Sequence, residues 1–276
     1  MLNKDIARRL LEVEDLPTLP EVMNHILEVV ESENSSAQDL TTILETDHAI
    51  SARVLRLANS AFYGLRHRAD SIRRAVVVVG FEAVRMLALA TTVFDTLSSR
   101  KQFAIAPDDF WMHSLGTAKA AQLLSNHCRT TSSQEGCFTA GLLHDMGKYV
   151  LALVLKEKYQ EVVRAAEENQ INLLPSEQER LEANHAEVGL WLARRWRFPS
   201  MICDAIGHQY RVESYYSGQY PTEVAIIALS SELSREARFG DADNLTEGYY
   251  RSPPVGLELN LDKLSRLIPS PPSLWM

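Results

Sequence analysis

The sequence predicts an all-α protein with two packed helical lobes. Apolar residues recur at every third or fourth position in successive segments, which is the spacing that places side chains on one face of a helix. Capping residues and prolines separate these segments. We assign residues 1–105 to an N-terminal lobe, residues 106–240 to a second lobe and residues 241–276 to a C-terminal extension.

Start and stop signals divide the N-terminal lobe into helices. Apolar side chains over residues 3–13 predict a short amphipathic helix that ends before Pro17, because proline cannot continue a helix. Helical apolar spacing resumes directly after Pro20. Ser36 and Asp47 mark the next two starts, since their side-chain oxygens can accept the amide hydrogens that open a helix.

A run of four valines, residues 76–79, favours a strand by propensity alone. We nevertheless predict a helix that starts at Ser71, because apolar residues spaced three to five positions apart continue on both sides of Gly80. The neighbouring segments all have helical spacing, which supports the same assignment.

The second lobe is predicted to be helical throughout, after a connector over residues 98–108. One helix carries His113, and residues 139–155 form a central helix that is apolar on nearly all sides and therefore buried. His208 lies on a later helix, and residues 224–233 form the last long apolar one.

A capping-box pattern predicts one more helix start in this lobe. Pro175 and Ser176 are followed by Glu179, whose side chain can bond back to the backbone of the capping residue. We predict that the helix starting there carries His185 and ends before Pro199.

Residues 141–148, Gly-Leu-Leu-His-Asp-Met-Gly-Lys, carry the strongest chemical signal in the chain. Adjacent helical residues point about 100° apart, so His144 and Asp145 could reach one ion only at a helix end or between two helices. Further ligands must come from distant segments. The candidates are His113, His185 and His208.

Composition and charge narrow the classes of function. The formal net charge of −8 argues against a broad nucleic-acid surface, so no DNA partner is expected. The three cysteines lack a CxxC spacing and are expected to be reduced, as in the cytoplasm. No apolar run approaches the roughly 20 residues that span a bilayer, so no membrane segment is expected. Phosphate-binding GxxxxGK[ST] loops and G-x-S-x-G elbows are also lacking.

One dense basic patch stands out against this acidic background. It comprises residues 66–68, Arg-His-Arg, and the pair Arg73 and Arg74. We expect a solvated face here, and the alternative is a docking site for an acidic partner or a nucleotide.

Several short motifs occur in a fixed order along the first lobe. They are Leu16-Pro17-Thr18-Leu19-Pro20, Asp39-Leu40, Asp47 with Leu55 and Ala58-Asn59-Ser60, and Ala75-Val76 with Gly80. In this order they resemble the signature of the HDOD family, a set of bacterial signalling domains related to the HD superfamily. The resemblance extends to about residue 240. His48 departs from the pattern, where the family usually has proline.

The resemblance implies that the second lobe is a degenerate HD-type helical bundle with a divalent-metal site. His113, His144 and Asp145 match the first histidine and the paired motif of the HD superfamily, and Lys148 matches a basic residue that reaches phosphate in active relatives. Lys148 is therefore the one candidate for a catalytic role. The histidines of a second metal, as in HD-GYP phosphodiesterases, are matched by His185 and His208.

Two positions depart from the pattern of those active relatives. Gln209 replaces a second adjacent histidine, and Ser230-Ser231 stand where a closing aspartate ligand belongs. Disturbing even outer-shell partners of a metal typically costs about 10- to 100-fold in affinity or activity, so first-shell losses should cost more. Catalysis is therefore not expected. The polar cluster either retains one ion or forms a buried hydrogen-bonded group.

The resemblance implies a bacterial regulatory module that is not an enzyme and that acts through contacts with signalling proteins. The alternative is a metal-dependent phosphohydrolase or a cyclic-dinucleotide phosphodiesterase. A third reading is a module that binds a nucleotide or cyclic dinucleotide without cleaving it.

Overall fold

Every regular element in the computed structural model is helical over the residues that it describes, which confirms the predicted all-α fold. The described residues are 6, 8, 21–32, 35–59, 63, 65–98, 107–128 and 130–236.

The chain divides into two compact units. One consists mainly of Pro17–Ser99 and the other mainly of Arg100–Pro271. We refer to them as the N-terminal unit and the C-terminal unit.

The N-terminal unit contains five described α-helices around a core of aliphatic side chains such as Met23, Leu40 and Leu87. The helices are α1 (Glu21–Glu31), α2 (Ala37–Glu45), α3 (His48–Ala58), α4 (Ile72–Val79) and α5 (Phe81–Ser98).

The helix starts predicted at Ser36 and Asp47 are confirmed. Ser36 accepts from the amide of Asp39 while the Asp39 carboxylate accepts from the amide of Ser36, which completes a capping box at α2. The Asp47 carboxylate accepts from the amides of Ala49 and Ile50 at the start of α3. Each cap satisfies amide groups that a helix start leaves without a partner.

The valine run is helical, as predicted. The Ser71 side chain accepts from the amide of Arg74 and starts α4, which ends at Gly80. Gly80 has φ of 103°, a conformation that favours glycine, so the helix stops there and α5 begins at the next residue.

The C-terminal unit contains eight described α-helices and a 3₁₀ segment. They are α6 (Pro107–Ser125), α7 (Gln134–Leu143), α8 (Met146–Leu155), α9 (Glu157–Glu168), α10 (Leu173–Leu181), α11 (His185–Arg195), α12 (Ser200–His208), the 3₁₀ segment (Gln209–Tyr215) and α13 (Pro221–Glu236). Helix α6 packs against α7 and α13, while α8 packs against α11.

The single helix predicted over residues 139–155 is wrong, because the chain turns between α7 and α8. His144 and Asp145 form this turn, with Asp145 at φ −106° and ψ 13°. His144 and Asp145 therefore lie at a helix end, where adjacent histidine and aspartate side chains can face one site.

The capping box predicted at Pro175 is also wrong. Helix α10 begins earlier, at Leu173, so Ser176 lies inside it. The helix ends at Glu182, which has φ of 53°, and a new helix starts when Asn184 accepts from the amide of Glu187. His185 therefore occupies the first position of a separate helix.

The segment Gln134–Leu155 is the one described stretch long and apolar enough to cross a membrane. Its most apolar window is 89% buried inside the structure, as in the core of a folded domain.

Three predictions concern residues that the structure mostly leaves undescribed. They are the helix over residues 3–13, of which residues 6 and 8 are described and helical, the connector over residues 98–108, and the extension over residues 241–276. The predicted bounds of the connector are too wide, because residue 98 ends α5 and residues 107 and 108 begin α6.

Candidate metal centre

The turn between α7 and α8 places the His144 imidazole and the Asp145 carboxylate in the interior, where both are almost fully buried. Nδ1 of His144 lies 2.7 Å from the carbonyl oxygen of Gly141. A carbonyl can only accept, so Nδ1 carries hydrogen and Nε2 faces the carboxylate. Nε2 lies 3.2 Å from Oδ2 of Asp145, an arrangement satisfied by a shared proton or a bound cation.

Helix α6 supplies His113 to the same cluster. This fully buried ring lies 5.2 Å from the His144 ring, and its Nε2 is 3.9 Å from Oδ2 of Asp145. Burial, followed by the charge of His144, holds the pKa of His113 well below its usual value, so the imidazole is neutral. Ligand atoms of His113, His144 and Asp145 all lie within 4.8 Å of one another.

Lys148 compensates the charge of Asp145 from within the protein. Its Nζ lies 2.7 Å from Oδ2 of Asp145, one turn along α8, and both side chains are buried. Burial raises the pKa of Asp145, but the charges of His144 and Lys148 outweigh it and hold that pKa well below the usual range. The carboxylate is therefore ionised and paired.

The other carboxylate oxygen meets the residues that follow α12. The Tyr210 hydroxyl donates to Oδ1 of Asp145 at 3.1 Å. Nε2 of Gln209 donates to the carbonyl of His144 at 2.9 Å and lies 3.5 Å from the same Oδ1. The resemblance placed Gln209 at a ligand position. Its amide nitrogen instead bonds to the backbone of the turn between α7 and α8.

His185 approaches from the start of α11 and is oriented by Glu177. Its Nδ1 lies 2.6 Å from Oε2 of Glu177, and its backbone amide donates to the same oxygen at 2.9 Å. The Tyr159 hydroxyl donates to Oε1 at 2.6 Å. His185 Nε2 makes no hydrogen bond with the described part of the chain and lies 3.6 Å from Oδ1 of Asp145. A carboxylate behind an inward-facing imidazole is typical of metal-binding histidines.

Sequence reasoning missed Glu177. It is one of four glutamates between residues 177 and 187, and no local pattern separates it from the exposed ones. The distinguishing signal is its complete burial in α10, which depends on packing between distant segments.

His208 lies apart from this cluster. Among the described residues its ring contacts Tyr215, with ring centroids 4.4 Å apart and planes 20° apart. The Tyr215 hydroxyl bonds to Asp204, and burial lowers the pKa of His208. The structure thus brings together His113, His144, Asp145, Lys148 and His185, but not His208.

The two serines at the position of the closing ligand differ in orientation. Ser231 Oγ lies 3.3 Å from Nε2 of His113, whereas Ser230 Oγ is buried and makes no hydrogen bond among the residues that the structure describes. Ser234 completes the contact by donating to the His113 carbonyl at 3.0 Å. A neutral hydroxyl therefore faces the cluster where an aspartate would add a second negative charge.

Replacing Glu177 with glutamine is expected to destabilise the folded protein by about 1–3 kcal/mol. A glutamine offers one oxygen, so it cannot accept from Tyr159 and from both groups of His185 as the carboxylate does. Urea denaturation measures the change, and the exposed Glu179→Gln variant is the control. Equal stability of the two variants would contradict this role of Glu177.

Two imidazoles and a carboxylate form a donor set that suits zinc, manganese or iron, so the cluster can hold a divalent metal. A metal would have to share Asp145 with Lys148, which already contacts Oδ2. It would also bring net positive charge into a site where, among the described residues, Asp145 is the one carboxylate in direct reach.

The chain is similar to several known proteins. A crystal structure of an HDOD domain protein of unknown function from Geobacter sulfurreducens is 26% identical, with a TM-score of 0.74, and the match covers 95% of this chain and 89% of that one. A candidate phosphohydrolase from Shewanella amazonensis is also 26% identical, with a TM-score of 0.76 and coverage of 95% and 93%.

An uncharacterised protein of Treponema pallidum is 24% identical over 227 residues, which are 81% of this chain. The match spans only 43% of that protein. The sequence model of the HDOD domain matches residues 16–212, most of the chain, and reaches from the first proline motif past the histidine and aspartate cluster. The chain therefore belongs to the HDOD domain family.

Proposed function

We propose that this chain is a regulatory module of bacterial signalling that acts in the cytoplasm through protein contacts and does not catalyse hydrolysis. The observation that carries the proposal is the buried pair of Lys148 and Asp145, whose charged atoms lie 2.7 Å apart. An ammonium group thus supplies the positive charge that a metal ion supplies in a hydrolytic site.

Burial supports the same conclusion. Hydrolysis in an HD-type site needs a cation with open positions for a water molecule and a phosphate oxygen. The cluster side chains are at most 2% exposed, and a phosphate diester would have to displace packed groups to reach them. The cluster residues are His113, His144, Asp145, Lys148, His185 and Gln209.

The cysteines support the proposed location. Burial raises the pKa of the Cys137 thiol to about 12 and that of Cys203 to about 11. Such thiols are protonated and unreactive at neutral pH, as expected for structural cysteines of a reducing compartment.

A metal-dependent phosphohydrolase or cyclic-dinucleotide phosphodiesterase is the second candidate. It is supported by the three ligand atoms within 4.8 Å and by the inward-facing His185 with Glu177 behind it. The similar Shewanella protein is itself described as a candidate phosphohydrolase. In this alternative His113, His144 and Asp145 would hold the ion, and the ion would polarise the phosphate.

Phosphodiester hydrolysis assays decide between the two functions. We expect the purified protein, supplied with manganese, to cleave bis-p-nitrophenyl phosphate and cyclic dinucleotides no faster than its His144→Ala variant. His127→Ala, an exposed histidine, serves as the control for loss of an imidazole. Turnover that His144→Ala abolishes and His127→Ala retains would establish the enzyme. Thermal stabilisation by a nucleotide without turnover would indicate a nucleotide sensor instead.

A further inference from the structure

Helix α4 has one face that packing within its unit does not use. Its buried positions include Ile72 and Ala75. Val77 is 79% exposed and Val78 is 40% exposed, which is unusual for valines in a helix. The exposed positions of the helix are Arg73, Arg74, Val77 and Val78.

These four residues form one continuous surface. At about 100° per residue they span an arc of about 140°, and each valine lies one turn after an arginine. Arg66 and Arg68 are exposed in the segment that leads into α4, where Asp70 is the only acidic residue. We call Arg66, Arg68, Arg73, Arg74, Val77 and Val78 the α4 surface. Its four arginines form no ion pair or side-chain hydrogen bond with any described residue.

The arginines and valines on this face of α4 do not stabilise the helix. Arg73 and Arg74 lie in the first turn, where the partial positive charge of the helix end makes cations unfavourable. Valine is a poor helix former, and an exposed one gains nothing from burial. Polar or acidic residues at these positions would favour the isolated fold more.

We propose that the α4 surface binds an acidic segment of a partner protein that also carries apolar side chains. This proposal rests on the proposed function, a module that acts through protein contacts. The α4 surface is complementary in charge to such a segment, because its four arginines present planar donors that pair well with carboxylates. Val77 and Val78 lie beside them and can cover apolar side chains of the partner.

A nucleic acid suits this surface less well. Two exposed valines offer nothing to a phosphate backbone, and the net charge of −8 repels an extended polyanion outside the patch. A partner segment that is both acidic and apolar uses both parts of the surface.

A binding experiment with the full chain tests the proposal. The probe is a fluorescein-labelled peptide with glutamates and leucines on one helical face, compared with peptides whose leucines are serine or whose glutamates are lysine. We expect the first peptide to bind most tightly and with an affinity that falls as salt rises. If the unmodified chain binds the peptide with glutamates and leucines no more tightly than the two altered peptides, the proposal is wrong.

Charge reversal locates the binding surface. Arg73→Glu with Arg74→Glu is expected to weaken binding by about 10-fold or more. The matched control, Lys158→Glu with Arg164→Glu on exposed positions of α9, changes the total charge equally and should stay within about 2-fold. Val77→Thr with Val78→Thr should also weaken binding, because it removes the apolar contact while leaving the charge unchanged.

Protein stability separates a binding defect from unfolding. Glutamates in the first turn of α4 favour the helix, so the melting temperature of the Arg73→Glu, Arg74→Glu variant should equal or exceed that of the unmodified chain. Equal peptide affinity of this variant and the unmodified chain would contradict the proposal. Tighter binding of a single-stranded oligonucleotide would contradict it too, as would self-association that the variant abolishes.

The hydrolysis assay keeps the two proposals distinct. Turnover that depends on His144 would contradict the proposed regulatory function, whether or not the peptide binds. If the chain shows no turnover and does not prefer the acidic, apolar peptide, only the proposal that the α4 surface binds such a segment is contradicted.

Discussion

Replacement of Gly147 by alanine is expected to destabilise the C-terminal unit by at least about 3 kcal/mol. A methyl group on Gly147 would overlap the carbonyl oxygen of His185 and would lie 2.7 Å from the amide nitrogen of Gly189. Both neighbours are backbone atoms of α11, so no change of side-chain rotamer can relieve the overlap. The helices α8 and α11 would have to separate.

The contact at Gly147 also positions the metal-competent cluster. Gly147 lies two residues after Asp145, and the atoms that an added methyl group would meet belong to His185 and to the following turn of α11. Separation of the two helices would therefore increase the 3.6 Å distance between Asp145 Oδ1 and His185 Nε2. The glycine within the central motif serves close helix packing.

Gly136→Ala is the matched control. A methyl group there would lie 3.2 Å from the terminal carbon of Met201, a flexible side chain that can move, and 3.3 Å from Oγ of Ser133, and it would meet no backbone atom at such a distance. Alanine also favours a helix over glycine, so this variant should lie within about 1 kcal/mol of the unmodified protein. Urea denaturation at neutral pH measures both variants. Similar free energies of unfolding for the two would show that α8 can shift away from α11 at low cost.

Local sequence signals were sufficient where one segment determines its own structure. Ser36 and Asp47 cap helices as predicted, since a cap depends on residues two or three positions away. The capping-box signal at Ser176 failed because its hydroxyl bonds to the carbonyl of Val162, on a different helix. Packing against a distant segment thus overrode a local preference.

The candidate site was predictable in its residue types but not in its full composition. Four of the five proposed ligands, His113, His144, Asp145 and His185, do meet in one cluster. His208 does not join them. Its position on a helix can be predicted from the sequence, but the direction in which that helix faces in the fold cannot. Sequence patterns did not indicate Glu177 or Tyr210, because their contacts join different helices or segments that lie 8 to 65 residues apart in the chain.

Replacing Lys148 with methionine is expected to destabilise the protein by about 3–5 kcal/mol at neutral pH, the usual cost of leaving a buried charge without its partner. Methionine resembles the lysine stem in length and flexibility, so packing is largely retained. Asp145 would keep His144 and Tyr210 but would lose the ammonium 2.7 Å from Oδ2. The exposed Lys158→Met variant should have the stability of the unmodified protein.

The pH dependence of the Lys148→Met effect follows from Asp145. In the unmodified protein the pKa of Asp145 is well below its unfolded value of about 3.9, so the ionised carboxylate contributes stability that is fully present above about pH 4. That contribution is lost as pH falls through the folded pKa. Without Lys148 the same pKa rises, because a charge that lowers it is gone. The stability difference between the two proteins should therefore be largest near neutral pH and smaller under acid conditions.

A second substitution tests whether the pair itself is responsible. In the Asp145→Asn, Lys148→Met variant no buried charge remains at these two positions, and the loss should be smaller than the sum of the single losses by about 1–3 kcal/mol. Strictly additive losses would mean that Lys148 stabilises the protein by some other contact. They would also contradict the proposal that the Lys148 ammonium takes the place of a metal ion, because Lys148 can do so only through its pair with Asp145.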